Sequence, residues 1–349
     1  MHRVFTAGSQ IPNSLMTQAP AKLSPAPLFP GTVVGGYRIV RKIASGGFGQ
    51  VYLAVSPSGQ DVAVKEYLPA SLASREHGNA PVVVPRDKRV LYRMGLRSFF
   101  EEGRALAQIA HPSVVNVLNF FLENDTVYLV MDYLQGASLQ QFIVTSAGLK
   151  HAKIFRESTI RSLFDEILRG LRVVHQKELL HLDIKPANIF ITDDDRAVLI
   201  DFGAARVVLR KGGKFSQPMF TPGFSAPEMQ GRDKSIGPWS DIYGIGACIY
   251  SCMKGYPPPD AVTRQKSDTL PAALGTMRSL YSGALIDLVA SCMQMDAAQR
   301  PHSVLAVQTL LSANPMRERA GAIPSPDTLV YQASHLAPGR AKPPTDVLR

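Results

Sequence analysis

His181-Leu182-Asp183-Ile184-Lys185-Pro186-Ala187-Asn188, followed thirteen residues after Asn188 by Asp201-Phe202-Gly203, is the stretch that decides the fold of this chain. It presents a carboxylate able to orient and deprotonate a hydroxyl, a lysine able to neutralise phosphoryl charge, and two hard-oxygen side chains, Asn188 and Asp201. This is the order that a phosphoryl-transfer site requires. A lone Asp-x-Lys is ordinarily surface charge, and a lone Asp-Phe-Gly is ordinarily a turn. Paired at this spacing, they call for matching parts elsewhere in the chain.

Those parts are present. Upstream, Ile43-Ala44-Ser45-Gly46-Gly47-Phe48-Gly49-Gln50-Val51 sets glycines between two β-branched runs, where backbone amides can approach phosphates without Cβ interference. Val62-Ala63-Val64-Lys65 forms a third run, and Leu129-Val130-Met131-Asp132-Tyr133-Leu134 ends a fifth. Downstream stand Thr221-Pro222-Gly223-Phe224-Ser225-Ala226-Pro227-Glu228, Trp239-Ser240-Asp241-Ile242-Tyr243-Gly244, and Asp296 with Arg300-Pro301. On these residues the chain resembles the eukaryotic-type (Hanks-type) Ser/Thr protein kinases over about Tyr37 to Leu311, and Lys65-Glu66-Tyr67-Leu68-Pro69, with the basic residues that follow it, resembles a bacterial branch of them.

The resemblance implies a two-lobed α+β fold and a set of roles. ATP would be held by Ile43, Ala44, Ser45, Gly46, Gly47, Phe48, Gly49, Val51 and Ala63, with Lys65 on its phosphates. Glu102 would be the partner of Lys65, leaving Glu101 as a surface acid, because one residue along a helix turns about 100°. Met131 would gate the adenine pocket, and the backbone of Asp132 to Leu134 would meet the adenine edge. Asp183 would be the catalytic base and Lys185 its cationic neighbour, while Asn188 and Asp201 would hold Mg²⁺ or Mn²⁺. Thr221 would bond toward Asp183 and Lys185, Glu228 would pair with Arg300, and Asp241 would brace the catalytic loop. A peptide-receiving segment of this kind separates protein kinases from small-molecule phosphotransferases. Two departures stand out: Ala44 occupies the first glycine position, and Leu182 stands where many members carry an arginine that clamps an activation-loop phosphate.

The remaining chain sets the boundaries. Residues 1–36 are rich in proline and lack periodicity, which predicts a flexible arm; 313–349 reads as a disordered proline-rich tail. Between them lies one domain at 37–312, with a strand-rich lobe at about 37–132 and a helical lobe at about 136–312. Residues 66–97 read as an insertion carrying Arg86, Lys88, Arg89, Arg93 and Arg97, ahead of a helix over Ser98 to Ala110. Further helices are expected at Thr159–Gln176, Asp241–Met253, Gly283–Met293 and Ser303–Leu311.

Composition narrows the function classes. No apolar run approaches the roughly 20 residues of a spanning helix, and no secretory signal opens the chain. Three cysteines, Cys248, Cys252 and Cys292, cannot build a disulfide framework and point to a reducing, cytoplasmic setting as small buried hydrophobes. The formal charge of +10 is spread, with +2 on each tail and +6 between them, and no aromatic-interleaved basic stripe invites nucleic acid. Arg206, Arg210, Lys211 and Lys214 lie between Gly203 and Thr221 without an acid, either a solvated loop or a field favouring acidic substrates. Ser216 and hydroxyls in the tails are candidate autophosphorylation sites. The expected partners are ATP and proteins with Ser or Thr acceptors. A nucleotide-binding scaffold without transferase activity and a small-molecule kinase stand as alternatives. Oligomeric state leaves no mark in the sequence.

Overall fold

A computed structural model describes residues 25–147, 155–202, 220–230 and 235–313, together with the backbone of 206–207. The expectations for Arg210, Lys211, Lys214, Ser216, residues 1–24 and the tail from 314 lie outside these residues.

Short turns set the register of the small lobe. Strands β1 (Val33–Val34), β2 (Tyr37–Gly46), β3 (Gly49–Val55), β4 (Asp61–Tyr67), β5 (Val117–Glu123) and β6 (Thr126–Asp132) form one antiparallel sheet in the order β1-β2-β3-β4-β6-β5. The β5–β6 hairpin turns on Asn124 and Asp125, both left-handed at φ 53° and 58°, as a twist-compatible two-residue turn requires. Helix α1 (Arg89–Leu106) packs on β5 and β6, burying Tyr92, Phe99, Glu102, Gly103 and Leu106.

The large lobe follows helical grammar. After β7 (Gly136–Ser138) come α2 (Leu139–Ala147) and α3 (Glu157–Gln176), whose Ile160, Phe164, Ile167, Leu168, Leu171 and Val174 form one buried face. Short strands β8 (Leu179–Leu180), β9 (Ile189–Thr192), β10 (Ala197–Leu199) and β11 (Arg206–Val207) carry the connecting loops. Helix α4 (Pro238–Lys254) is buried on nearly every side and stops at Gly255, left-handed at φ 82°. Helices α5 (Ala261–Lys266), α6 (Leu270–Gly275), α7 (Gly283–Cys292) and α8 (Val304–Ser312) follow, with α7 and α8 packed on α4 and α6 on α7; Ser282 and Ser303 cap α7 and α8 through their hydroxyls. The three cysteines are free and buried, and burial pushes their thiols up. No helix among the described residues is long and apolar enough to cross a membrane.

Three boundaries differ from the sequence reading. The arm expected over 1–36 gives way to folded chain by residue 25, since Leu28 and Val34 are buried against the outer face of the sheet. The insertion expected over 66–97 shrinks to 68–88, because β4 runs to Tyr67 and α1 begins at Arg89. The first half of α1 escaped detection because Val90, Leu91 and Met94 are exposed, which erases the apolar periodicity a helix normally shows. The helix also ends at Leu106 rather than Ala110, with Ile109 buried in the turn beyond it.

Candidate active site

Strands β2 and β3 pair up to Gly46 and Gly49, leaving Gly47-Phe48 as the tip of the glycine-rich hairpin. Ile43, Ala44 and Ser45 therefore belong to β2, with Ala44 opposite Val51. Ala44 keeps an ordinary negative φ, so alanine is accommodated at the first glycine position without strain. Gly49 has no such latitude: a Cβ there would lie 1.8 Å from the Glu66 carbonyl oxygen. Val51, Ala63, Met131 and Leu134 share the main apolar cluster, and Ala63 pairs with Met131 across β4 and β6. The Asp132 amide donates to the Asn116 carbonyl at 3.1 Å, which anchors the start of the interlobe connection.

Lys65, on the same face of β4 as Ala63, is buried, with its ammonium 5.2 Å from the centre of the Phe99 ring. Its Nζ donates to Asp201 Oδ1 at 2.6 Å. The expected Lys65–Glu102 ion pair is not formed. The helix does turn Glu102 inward and leaves Glu101 outside, paired with Arg104 at 2.7 Å. Yet Glu102 makes no ion pair among the described residues, and its Oε1 lacks a hydrogen-bond partner. Two carboxylates compete for one ammonium, and Asp201 holds the contact. Burial pushes the Glu102 carboxyl well above the usual carboxylate range, with Lys65 opposing and Asp201 adding to the rise. Burial alone would lower the Lys65 pKa; Asp201, Glu102 and Asp183 outweigh it and raise the value.

The loop between β8 and β9 brings the reactive groups together. Asp183 Oδ2 accepts from Lys185 Nζ at 2.7 Å and Asn188 Nδ2 at 2.9 Å, while Oδ1 accepts from Thr221 Oγ1 at 3.0 Å. Asn188 Nδ2 also donates to the Asp183 carbonyl at 2.8 Å. Thr221 thus reaches Asp183 as expected; the contact to Lys185 is not made, because that ammonium turns to the other carboxylate oxygen. With its nitrogen bound to Asp183, the Asn188 amide offers its oxygen to a cation. An amide oxygen and the Asp201 carboxylate are the hard donors that suit a divalent ion carried by phosphates.

The loop is held from below by α4. Asp241 accepts from the amides of His181 at 2.9 Å and Leu182 at 2.7 Å, and from His175 Nε2 at 2.8 Å. Although burial works against it, these donors hold the Asp241 carboxyl below its ordinary value. Leu182 is left-handed at φ 59° and Asp201 at φ 57°, strained conformations that cluster at functional sites. The His181 ring packs on Phe202 with centroids 4.4 Å apart; burial lowers its pKa against the pull of Asp241, Asp183 and Asp201. At the end of the segment from Thr221 to Glu228, Glu228 accepts from both terminal nitrogens of Arg300 at 2.7 and 2.9 Å and from the Ser240 hydroxyl at 2.8 Å. His175, Ser240 and the Lys65–Asp201 pair were missed by sequence reasoning. Only His175 carried a signal, in the last turn of an amphipathic run, and that signal is generic.

The protein kinase domain profile matches residues 37–311. The serine/threonine-protein kinase pkn2 of Myxococcus xanthus is 29% identical over 295 residues, covering 80% of this chain and 32% of its own length. The chain spans about a quarter to a third of the length of the curated relatives it matches. Among solved structures, the PpkA-294 apo form aligns with TM-score 0.68 and 31% identity over 81% of this chain and 99% of its own. The PknI kinase domain of M. tuberculosis aligns at TM-score 0.58 and 20% identity over 81% and 97%, a likeness of fold. Its motifs, its two-lobed fold and these relatives agree: the chain belongs to the protein kinase family.

Proposed function

We propose that this chain is an ATP-dependent protein serine/threonine kinase of bacterial signalling, active without a phosphate on its activation loop. The carrying observation is the convergence of Lys185, Asn188 and Thr221 on the Asp183 carboxylate. That carboxylate orients the acceptor hydroxyl and takes its proton late in the transfer, where positioning outweighs basicity. Lys185 neutralises charge on the γ-phosphoryl group, and Lys65 draws in the α- and β-phosphates. Asn188 and Asp201 would hold Mg²⁺, or Mn²⁺, which shields the phosphates when bound. In this reading Lys65 exchanges Asp201 for Glu102 and phosphate once nucleotide enters. Substrate proteins lie along the segment from Thr221 to Glu228, kept in place by the buried Arg300 pair.

Leu182 supports phosphate independence: it is 4% exposed within the main apolar cluster and has no charge to offer a phosphate. Transfer of [γ-³²P]ATP to a generic protein substrate and to the chain itself tests the reading. Asp183→Ala should lower transfer about 10²- to 10⁴-fold. Equal labelling by both proteins would leave a nucleotide-binding scaffold, and labelling of metabolites alone would leave a small-molecule kinase.

A further inference from the structure

The central strands of the small lobe, β4 and β6, are buried on both faces. Alternate residues of a strand point to opposite sides, so Ala63 and Lys65 face the cleft while Val62, Val64 and Glu66 face away. On that outer face Tyr52, Val64, Tyr128 and Val130 form a second apolar cluster with Leu28 and Val34. Glu66, the residue immediately after Lys65, sits on this face with no exposed surface.

A carboxylate in such a place is strongly disfavoured unless it is paired and hydrogen-bonded. Four donors surround it. Tyr52 Oη donates to Oε2 at 2.9 Å and Tyr128 Oη to Oε1 at 2.9 Å. Arg75, from the segment after β4, closes the site with its fork, one terminal nitrogen on Oε2 at 3.0 Å and the other on Oε1. Arg75 is buried as well, and it ties down the chain at the start of the lobe. Its guanidinium donates to the Ala26 carbonyl at 3.3 Å, and its own carbonyl accepts from the Ala26 amide at 3.0 Å. Gln50 Nε2 donates to the Pro25 carbonyl at 2.6 Å, and the Leu28 amide to Tyr52 Oη at 3.2 Å.

The residue so clamped also sets the nucleotide side of the sheet. Its carbonyl oxygen is the atom against which Gly49 is packed. Gln50 pairs with Glu66 and Val51 with Lys65 in the β3–β4 register, and the Leu68 amide donates to the carbonyl of Phe48 at the hairpin tip at 3.0 Å. We infer that Arg75 is a positioning residue for nucleotide binding, its fork on Glu66 fixing the height of the glycine-rich hairpin over Lys65. The inference rests on the reading of that hairpin and Lys65 as the nucleotide-contacting groups. The segments at 25–28 and 68–88 then form a roof that tunes ATP affinity.

The test uses the full chain as Arg75→Lys and as the double variant Glu66→Gln, Arg75→Met. Removing both partners leaves no orphaned buried charge, whereas Arg75→Met alone would strand Glu66. Lysine keeps the charge but loses the planar fork. Affinity for trinitrophenyl-ATP is measured well below the unfolding midpoint, beside KM for ATP and for a protein substrate. Misplacement of the hairpin should weaken nucleotide binding about tenfold in the double variant and about threefold in Arg75→Lys, with the protein-substrate KM within about twofold. A folded variant that loses only thermal stability, its nucleotide affinity within about twofold of wild type, would overturn the inference. Should the double variant fail to fold, Arg75→Lys decides alone. Wild type that binds the analogue but transfers no phosphate would sink the kinase reading while the affinities still judge Arg75. Wild type that does not bind it would overturn both.

Discussion

Replacing Asp241 with asparagine should disable catalysis from outside the reacting groups. The carboxylate accepts from His175 Nε2 and the His181 amide on Oδ2 and from the Leu182 amide on Oδ1. Asparagine keeps the shape but turns one oxygen into a donor. Placing its oxygen at the Oδ2 position saves two bonds and sets an N–H against the Leu182 amide; the reverse orientation loses two. Bonds to a charged group contribute about 1.5–3 kcal/mol each, so losing one and weakening the others should destabilise the fold by about 2–4 kcal/mol. The lost bond is the one that holds Leu182 at φ 59°. A bulky residue in the left-handed region costs about 1–2 kcal/mol, so the freed backbone relaxes. Asp183 follows directly, and a shift of about 1 Å costs about 10²-fold in turnover. The expected result is kcat down about 10²-fold with KM for ATP within about twofold, in a protein that still unfolds cooperatively in urea. The sign of the pH effect follows too. Because the folded carboxyl lies below its ordinary 3.8, its stabilisation is present above that value and is lost as pH falls through the folded pKa. The variant should therefore show a flatter acid limb. A folded variant with unchanged kcat would refute the claim that Asp241 positions Asp183.

Three further outcomes follow from the same geometry. Arg300→Met leaves Glu228 buried without its cationic partner and should remove about 3–5 kcal/mol of stability in urea titrations. Adding Glu228→Leu should restore about half of that loss. Glu102→Gln should stabilise the free enzyme at alkaline pH: the folded carboxyl lies above its ordinary 4.5, so its contribution is full below that value and lost as pH rises through the folded pKa. Thermal melts of both proteins between pH 4 and pH 9 check this, and parallel curves would contradict it. Complete phosphatase treatment should leave activity within about twofold, since Leu182 has no means of reading an activation-loop phosphate. Dependence on that phosphate would show a clamp elsewhere.

Much of the site was legible because its members are close along the chain. Asp183, Lys185 and Asn188 share one loop, so their meeting is nearly a local event, and side-chain type states their chemistry. The inward turn of Glu102 and the outward turn of Glu101 were legible from helical pitch, although the pairing with Lys65 was not. The early start of α1 was not, because Val90, Leu91 and Met94 face solvent. Nor was the fold of residues 25–36, where prolines imitate a linker while Leu28 and Val34 fill a core.

The sequence alone therefore determined the lobes, the order of the reacting groups and the absence of an arginine before Asp183. Those properties depend on residue type, spacing and periodicity. Only the tertiary structure decided which carboxylate Lys65 holds, since Asp201 and Glu102 differ by distances that packing settles after the chain has folded. It also decided that Glu66, one residue beyond Lys65, is buried with Arg75. A strand sends neighbouring residues to opposite faces, and whether the outer face meets water or protein depends on segments that no local pattern announces.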